Sequence, residues 1–191
     1  MAVVATAGHV DHGKSTLVRL LTGMEPDRWA AERDRGLTID LGYAWTDLDG
    51  QRVSLVDVPG HEHFTGNMLA GLGPVAAVMF VVAADDGWCP QSQEHARAIA
   101  ALGIAHVLLV VTRCDLVDGA RAEAQARQRF AELGVPVADC VHVSGRTGDG
   151  LPALRTALAR LASESAPEPG DDRPVRLGWT GPSACAALAP W

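Results

Sequence analysis

The 191-residue chain has no apolar run of the roughly 18 residues needed to cross a bilayer. Its first residues also lack the basic segment and small-residue cleavage site of a secretory signal. A cytoplasmic chain without membrane contact is therefore expected. Cys89, Cys114, Cys140 and Cys185 show no C-x-x-C spacing, so neither a disulfide framework nor a zinc site is expected, and the thiols read as buried or incidental. Basic residues are in deficit: 16 Lys and Arg against 23 Asp and Glu leave a formal charge of −7. Nucleic-acid binding rests on Lys and Arg neutralising phosphates, so this chain alone should hold RNA poorly. Arg28, Arg33 and Arg35 make a local basic spot, but among Asp27, Glu32 and Asp34 it reads as a mixed solvated surface.

What is present is an apolar fraction of 48%, enough for a core, in a length suited to one α/β domain plus a tail. Apolar runs at 2–7, 75–84, 106–111 and 140–143 read as buried strands. Segments 42–48 and 52–58, joined at Asp49-Gly50, read as a hairpin, because Asp-Gly supplies the positive φ values of a tight turn. Helical periodicity marks 16–22, 91–102, 120–133 and 151–161. Strands alternating with helices predict an α/β fold, a mostly parallel sheet with helices on both faces and one antiparallel hairpin. Ligands in such folds bind beyond the carboxyl ends of the strands.

The most informative segment sits at such an end. Gly8-His-Val-Asp-His-Gly13-Lys14-Ser15 fits the phosphate-loop pattern G-x-x-x-x-G-K-[ST], between the first strand and a helix. The glycines let the backbone aim several N–H groups at a phosphate, and the helix N-terminus adds about half a positive charge. Lys14 would neutralise β/γ oxygens, and the Ser15 hydroxyl would reach Mg²⁺. Asp57-Val-Pro-Gly60-His61 follows the hairpin: its carboxylate can hold Mg²⁺ through water, and Gly60 can present its N–H to a γ-phosphate. Thr38 offers another hydroxyl to the metal. Thr112-Arg113-Cys114-Asp115 follows the strand 106–111. A carboxylate there would accept from N1–H and N2–H₂ of guanine, whereas adenine presents a lone pair at N1, so Asp115 argues for GTP over ATP. Ser144-Gly145-Arg146 could offer a backbone N–H to guanine O6 and a guanidinium to pack on the ring.

With these motifs in order, residues 1 to about 165 resemble the GTP-binding domain of a translational GTPase, a P-loop NTPase fold. Gly36-Leu-Thr-Ile-Asp-Leu-Gly-Tyr-Ala44, Asn67-Met-Leu-Ala-Gly71, Ala83-Ala-Asp-Asp-Gly87 with Pro90-Gln91, and Ser144-Gly-Arg-Thr-Gly148 are most similar to the selenocysteine-specific elongation factors. The initiation factor 2 γ subunit shares a similar Leu-Gly-Tyr-Ala segment and is the alternative within the family. The resemblance implies GTP/GDP and Mg²⁺ as cofactors. The nucleotide would contact Gly8, Asp11, His12, Gly13, Lys14, Ser15, Thr16, Thr38, Asp57, Gly60, Thr112, Arg113, Asp115, Ser144, Gly145 and Arg146, with Ser15, Thr38 and Asp57 serving the metal. It further implies that His61 positions the attacking water behind an apolar gate of Val10 and Leu37, that Lys14 acts on the phosphates, and that Asp11 helps hold a monovalent cation near the developing charge. His9, His12 and His63 receive no catalytic role.

Two departures stand against the family pattern, which commonly reads Asn-Lys-x-Asp at the base. Thr112 has one hydroxyl where asparagine has donor and acceptor, so loss of one anchoring bond to the phosphate loop is expected, at about 0.5–1.5 kcal/mol. Arg113 is expected to stack its guanidinium where a lysine stem covers the base. The second departure is the end of the chain. Residues 166–177 read as a linker and the start of a second domain whose remainder is missing: a Pro/Glu/Gly-containing stretch covers 163–172, and Arg173-Pro-Val-Arg-Leu177 begins what reads as the next strand. Residues 178–191 read as an irregular Ala/Pro-rich tail, and the codons they permit suggest an out-of-frame remnant of a barrel strand. A full-length factor would have the ribosome and selenocysteinyl-tRNA as partners; this chain is expected to be a monomer and a slow GTPase. The other readings are a nucleotide-binding remnant without delivery function and a P-loop enzyme acting on a small molecule.

Overall fold

The computed structural model describes residues 2–26 and 38–166. The basic spot at 28–35, Leu37, the segment from 167 onward and Cys185 lie outside the described residues.

Six strands form one sheet in the order β2-β3-β1-β4-β5-β6. They are β1 (Ala2–Ala7), β2 (Gly42–Leu48), β3 (Gln51–Asp57), β4 (Ala77–Ala83), β5 (His106–Thr112) and β6 (Val137–His142). Only the β2–β3 pair is antiparallel; β1 pairs parallel with β3 and β4, β4 with β5, and β5 with β6. All seven residues of β4 are buried, as a strand covered on both faces requires. In edge strand β2, Ala44 and Leu48 turn inward while Tyr43 and Trp45 stay exposed. Asp49 (φ 49°) and Gly50 (φ 78°) both take positive φ at the hairpin tip.

Among the described residues five helices complete the layers: α1 (Lys14–Thr22), α2 (Thr65–Leu72), α3 (Pro90–Ala101), α4 (Ala120–Glu132) and α5 (Leu151–Glu164). One core lies between the sheet and α1 with α5, through Leu17, Leu21, Leu154 and Leu158. The other lies beneath α2, α3 and α4, through Leu72, Ile99 and Phe130. Helices therefore cover both faces of a mostly parallel sheet, the α/β architecture expected. Among the described residues no helix is long and apolar enough to cross a membrane.

The structure departs from the sequence reading in two places. Strand β6 begins at Val137, three residues before the expected start, beside a register irregularity at Val107/Leu108. Asp139 interrupts its apolar run, which hides the strand from a search for apolar continuity. Helix α2 was not expected at all. It is eight residues long, contains Gly66 and Gly71, and follows a single 3₁₀ turn at Glu62–Phe64, too short to display a 3.6-residue period.

Because β1, β3, β4, β5 and β6 run in the same direction, their carboxyl ends open on one edge. The strand-end residues Asp57 and Thr112 and the loops carrying Gly8, Asp85 and Ser144 are neighbours there.

Candidate nucleotide site

The phosphate loop is held from several sides. Gly8 has φ 127°, and a Cβ on it would sit 2.1 Å from the Val81 carbonyl oxygen, so no other residue fits. Its N–H donates to Nδ1 of His95, a buried ring on α3, at 3.0 Å. Gly13 (φ 93°) caps α1 in the left-handed conformation. Lys14 is 5% exposed and donates from Nζ to the carbonyls of Gly8 (3.1 Å) and His9 (2.8 Å). Burial pushes its pKa down to about 8, with Asp57 and Asp11 opposing the shift. The turn after β3 closes on the same point: a Cβ at Gly60 would lie 2.4 Å from Lys14 Nζ and 2.6 Å from the Val10 nitrogen.

The three residues expected at the metal have hard oxygen donors. The Ser15 and Thr38 hydroxyls lie 3.0 Å apart. Asp57 is fully buried, and its Oδ1 accepts from the Thr6 hydroxyl at 2.7 Å, while that hydroxyl oxygen accepts from the Val58 N–H at 3.1 Å. Two touching hydroxyls with a rigidly held carboxylate beside a lysine are a donor set that fits Mg²⁺ bound with a nucleotide phosphate. His61 precedes the 3₁₀ turn. Its Nδ1 accepts from the His63 N–H at 3.3 Å, and its ring lies 4.8 Å from that of His63 and 6.1 Å from Phe64.

A cavity of about 400 Å³ opens beside the loop, lined by Gly13, Thr16, Thr112, Arg113, Asp115 and Arg146 among others. Asp115 accepts from the Ser144 hydroxyl at 2.7 Å and from Arg146 Nε at 2.8 Å. The Ser144 bond first, then Arg146, holds its carboxyl below the usual carboxylate range. Ser144 Oγ also accepts from the backbone N–H groups of Arg146 (3.3 Å) and Thr147 (3.1 Å), which fixes the loop after β6. A Cβ on Gly145 would approach Thr16 to 3.3 Å, so this loop packs against α1.

The geometry shows which partners three of the expected residues hold. The Thr112 hydroxyl donates to the His12 carbonyl at 2.8 Å, so the tie between base loop and phosphate loop is present. One hydroxyl proton suffices because β5 ends directly opposite that carbonyl. The Arg113 guanidinium, expected to stack on the base, is tied to Asp85 (3.0 and 3.2 Å) and to the Asp11 carbonyl (2.5 Å). A φ of 57° at Arg113 and 61° at Asp11 accompanies this second bridge between the loops. Arg146, expected on the ring, pairs with Asp115. His12 serves through its backbone; its ring is 1% exposed, with Nδ1 3.4 Å from the Val81 carbonyl and Nε2 3.1 Å from Asp86. Burial lowers its pKa.

His95 escaped the sequence reading, and Asp85 stood there only within the Ala83–Gly87 motif, without a role. Each matters through a contact with a loop distant in sequence, which no local spacing reveals.

Comparisons with known proteins agree with this arrangement. The family model described as the elongation factor Tu GTP binding domain matches residues 1–164. The chain is 43% identical over 163 residues to the selenocysteine-specific elongation factor of Escherichia coli, covering 83% of this chain and 26% of that protein. It is 40% identical over 174 residues to the factor of the same name from Desulfomicrobium baculatum, covering 89% and 27%. Among solved structures, a bacterial selenocysteine-specific elongation factor superposes with a TM-score of 0.80 at 36% identity, covering 91% of this chain and 30% of that one. The chain thus spans about a quarter of the length of these curated relatives. With the matched segment running from β1 to the end of α5, this chain belongs to the family of elongation factor Tu GTP-binding domains.

Proposed function

We propose that this chain is the nucleotide switch of a selenocysteine-specific elongation factor, binding GTP and hydrolysing it to GDP and phosphate. The observation that carries the reading is the convergence of Lys14, the Ser15–Thr38 hydroxyl pair and the Ser144-anchored Asp115 at one edge of the sheet. Lys14 would exchange its two carbonyl partners for phosphate oxygens. Asp115 would accept from N1–H and N2–H₂ of guanine, with Arg146 giving way and Ser144 keeping the carboxylate oriented. Ser15, Thr38 and Asp57 would hold Mg²⁺, whose chemistry is to neutralise β- and γ-phosphate oxygens. His61 would position a water for in-line attack. The new bond joins that water's oxygen to the γ-phosphorus, the bridging bond to the β-phosphate breaks, and GDP leaves with its electron pair while the water's protons pass to the phosphate and solvent. Asp11 would help hold a monovalent cation near the charge that develops on the bridge.

In the full-length factor this switch would govern delivery of selenocysteinyl-tRNA to the ribosome at UGA, in the cytoplasm. Residues 1–165 form the nucleotide domain in this reading, and the chain acts as a monomer. Displacement of a fluorescent GDP tests the site. GTP and GDP should compete, ATP should not, and EDTA should weaken binding. Equal competition by ATP, or indifference to Mg²⁺ removal, would overturn the assignment.

A further inference from the structure

Four side chains that the nucleotide chemistry leaves unused meet behind the phosphate loop. His9 and His12 come from the loop between β1 and α1, and Asp86 and Cys89 from the loop between β4 and α3. One ligand atom from each lies within 4.8 Å of all the others. His12 Nε2 is 3.1 Å from Asp86 Oδ2 and 3.8 Å from Cys89 Sγ. The His9 and His12 rings meet edge-on with centroids 4.9 Å apart, and His9 Nδ1 is buried without a hydrogen-bond partner.

The hydrogen bonding of His12 points outward from this cluster. Its Nδ1 faces the Val81 carbonyl at 3.4 Å and its Nε2 faces the Asp86 carboxylate at 3.1 Å, so a cation at Nε2 would replace the proton shared with that carboxylate and leave Nδ1–H to the carbonyl. A ligating histidine whose other nitrogen donates to a backbone carbonyl has this arrangement. An imidazolium would also satisfy both contacts, but it would be a charge on a ring 1% exposed and packed edge-on against a second histidine.

The loop carrying the other two ligands is anchored. Trp88, between them, stacks on Phe80 at 5.5 Å, meets Phe130 edge-on at 5.7 Å, and donates from its indole nitrogen to Gln93 at 3.1 Å. Gly87 takes φ 72° and its N–H donates to the Ala83 carbonyl at 2.8 Å. Asp86 and Cys89 are thus placed before any ligand arrives, which lowers the cost of assembling a site.

We propose that His9, His12, Asp86 and Cys89 bind a divalent cation of the zinc class and clamp the phosphate loop to the β4–α3 loop. In a tetrahedral site with bonds of ~2.0 Å to nitrogen or oxygen and ~2.3 Å to sulfur, neighbouring N and O atoms stand ~3.3 Å apart and N and S ~3.6 Å. The 3.1 and 3.8 Å separations match those edges. A thiolate and two imidazoles select a borderline-soft ion over Mg²⁺ or Ca²⁺, which take oxygen ligands. Thiolate and carboxylate together balance a charge of two. The site is separate from Ser15, Thr38 and Asp57. It touches the nucleotide loop through the backbone, since His9 and His12 carbonyls receive Lys14 and Thr112. The expectation of no zinc site rested on local cysteine spacing, whereas these ligands are drawn from positions 77 apart in the chain.

The test uses the 191-residue chain stripped of metal, titrated with Zn²⁺ against a chromophoric chelator in excess Mg²⁺, and separately with Co²⁺. One equivalent of Zn²⁺ should bind and raise Tm, and Co²⁺ should give tetrahedral visible bands with a thiolate charge-transfer band. Partners behind a metal ligand are already worth about 10- to 100-fold in affinity, so Cys89→Ser and Asp86→Asn should each weaken Zn²⁺ by about 100-fold or more. Cys89→Ser should also abolish the charge-transfer band. Cys140→Ser, which disables the three-residue group of Glu123, Cys140 and His142, should bind as the parent does. Asp86 is half exposed, so its variant keeps the test decisive should Cys89→Ser fail to fold. Absence of stoichiometric binding, a Co²⁺ spectrum without the thiolate band, or parental affinity in Asp86→Asn would overturn the site.

Discussion

Lys14 is the only lysine in the chain; the other basic residues are arginines. Its environment makes it costly without a ligand. The buried ammonium has a pKa of about 8 in the folded chain, below the ordinary ~10.4 that the unfolded chain retains. The unfolded state binds that proton more tightly, so Lys14 subtracts from stability at every pH below about 8. Stability then recovers as pH rises from there toward ~10.4. Lys14→Met should accordingly raise the Tm of the nucleotide-free chain at pH 7 while abolishing nucleotide binding. A variant that lost stability at that pH would contradict the burial argument. Phosphate oxygens would restore the lysine's pKa, so nucleotide binding near pH 8 should take up protons, measurable by calorimetry in buffers of different ionisation enthalpy. Asp115 supports a companion prediction about base choice. Each charged bond lost is worth about 1.5–3 kcal/mol, or roughly 10- to 150-fold. Asp115→Asn should weaken GTP by that order and favour xanthosine triphosphate, whose 2-oxo group accepts from an amide. Unchanged GTP affinity in competition assays would sink the assignment.

At the scale of elements, the base loop after β5 is fastened to the phosphate loop twice, by Thr112 to the His12 carbonyl and by Arg113 to the Asp11 carbonyl. Thr112→Val keeps the shape and removes the first bond, at a cost of about 0.5–1.5 kcal/mol. GDP affinity should fall by about 2- to 13-fold with Mg²⁺ dependence preserved; no change would mean that Arg113 alone holds the loops in register. The sequence made some elements legible and not others for physical reasons. Strands β1, β4 and β5 are continuous apolar runs because both of their faces are covered, and the hairpin announces itself through Asp49-Gly50. Helix α2 has no such signature, since glycines and brevity erase its period. Within the site, the residues fixed by motif spacing converge on one edge of the sheet. The ion-pair partners of Arg113 and Arg146 could not be read, because Asp85 and Asp115 reach them from other loops.

For the whole molecule, charge and the locality of the contacts at His61 set the behaviour. Among the described residues His61 is held by His63 and Phe64, its own near neighbours in the chain, rather than fixed against a water by an element distant in sequence. Phosphoryl transfer depends on such positioning and on charge stabilisation. Turnover by this chain alone should therefore be on the order of 10⁻⁴ to 10⁻² s⁻¹, as in unassisted GTPases. His61→Ala should leave GDP affinity nearly intact while lowering whatever turnover ribosomes elicit, and fast single turnover without them would be contrary to this reading. RNA binding follows from the same scale. Affinity for a phosphate backbone grows with the number of cations that displace counterions, and here acidic residues outnumber basic ones, 23 to 16. Several arginines are further spent on carboxylates: Arg113 on Asp85, Arg127 on Glu123, Arg146 on Asp115 and Arg160 on Asp139. Each paired guanidinium brings a carboxylate toward any approaching phosphate, which cancels much of its attraction. Filter binding at physiological salt should accordingly show no specific retention of selenocysteinyl-tRNA or an mRNA hairpin by this polypeptide, with GTP or without. Tight binding that survives raised salt would refute the charge argument and place an RNA surface on the nucleotide domain itself.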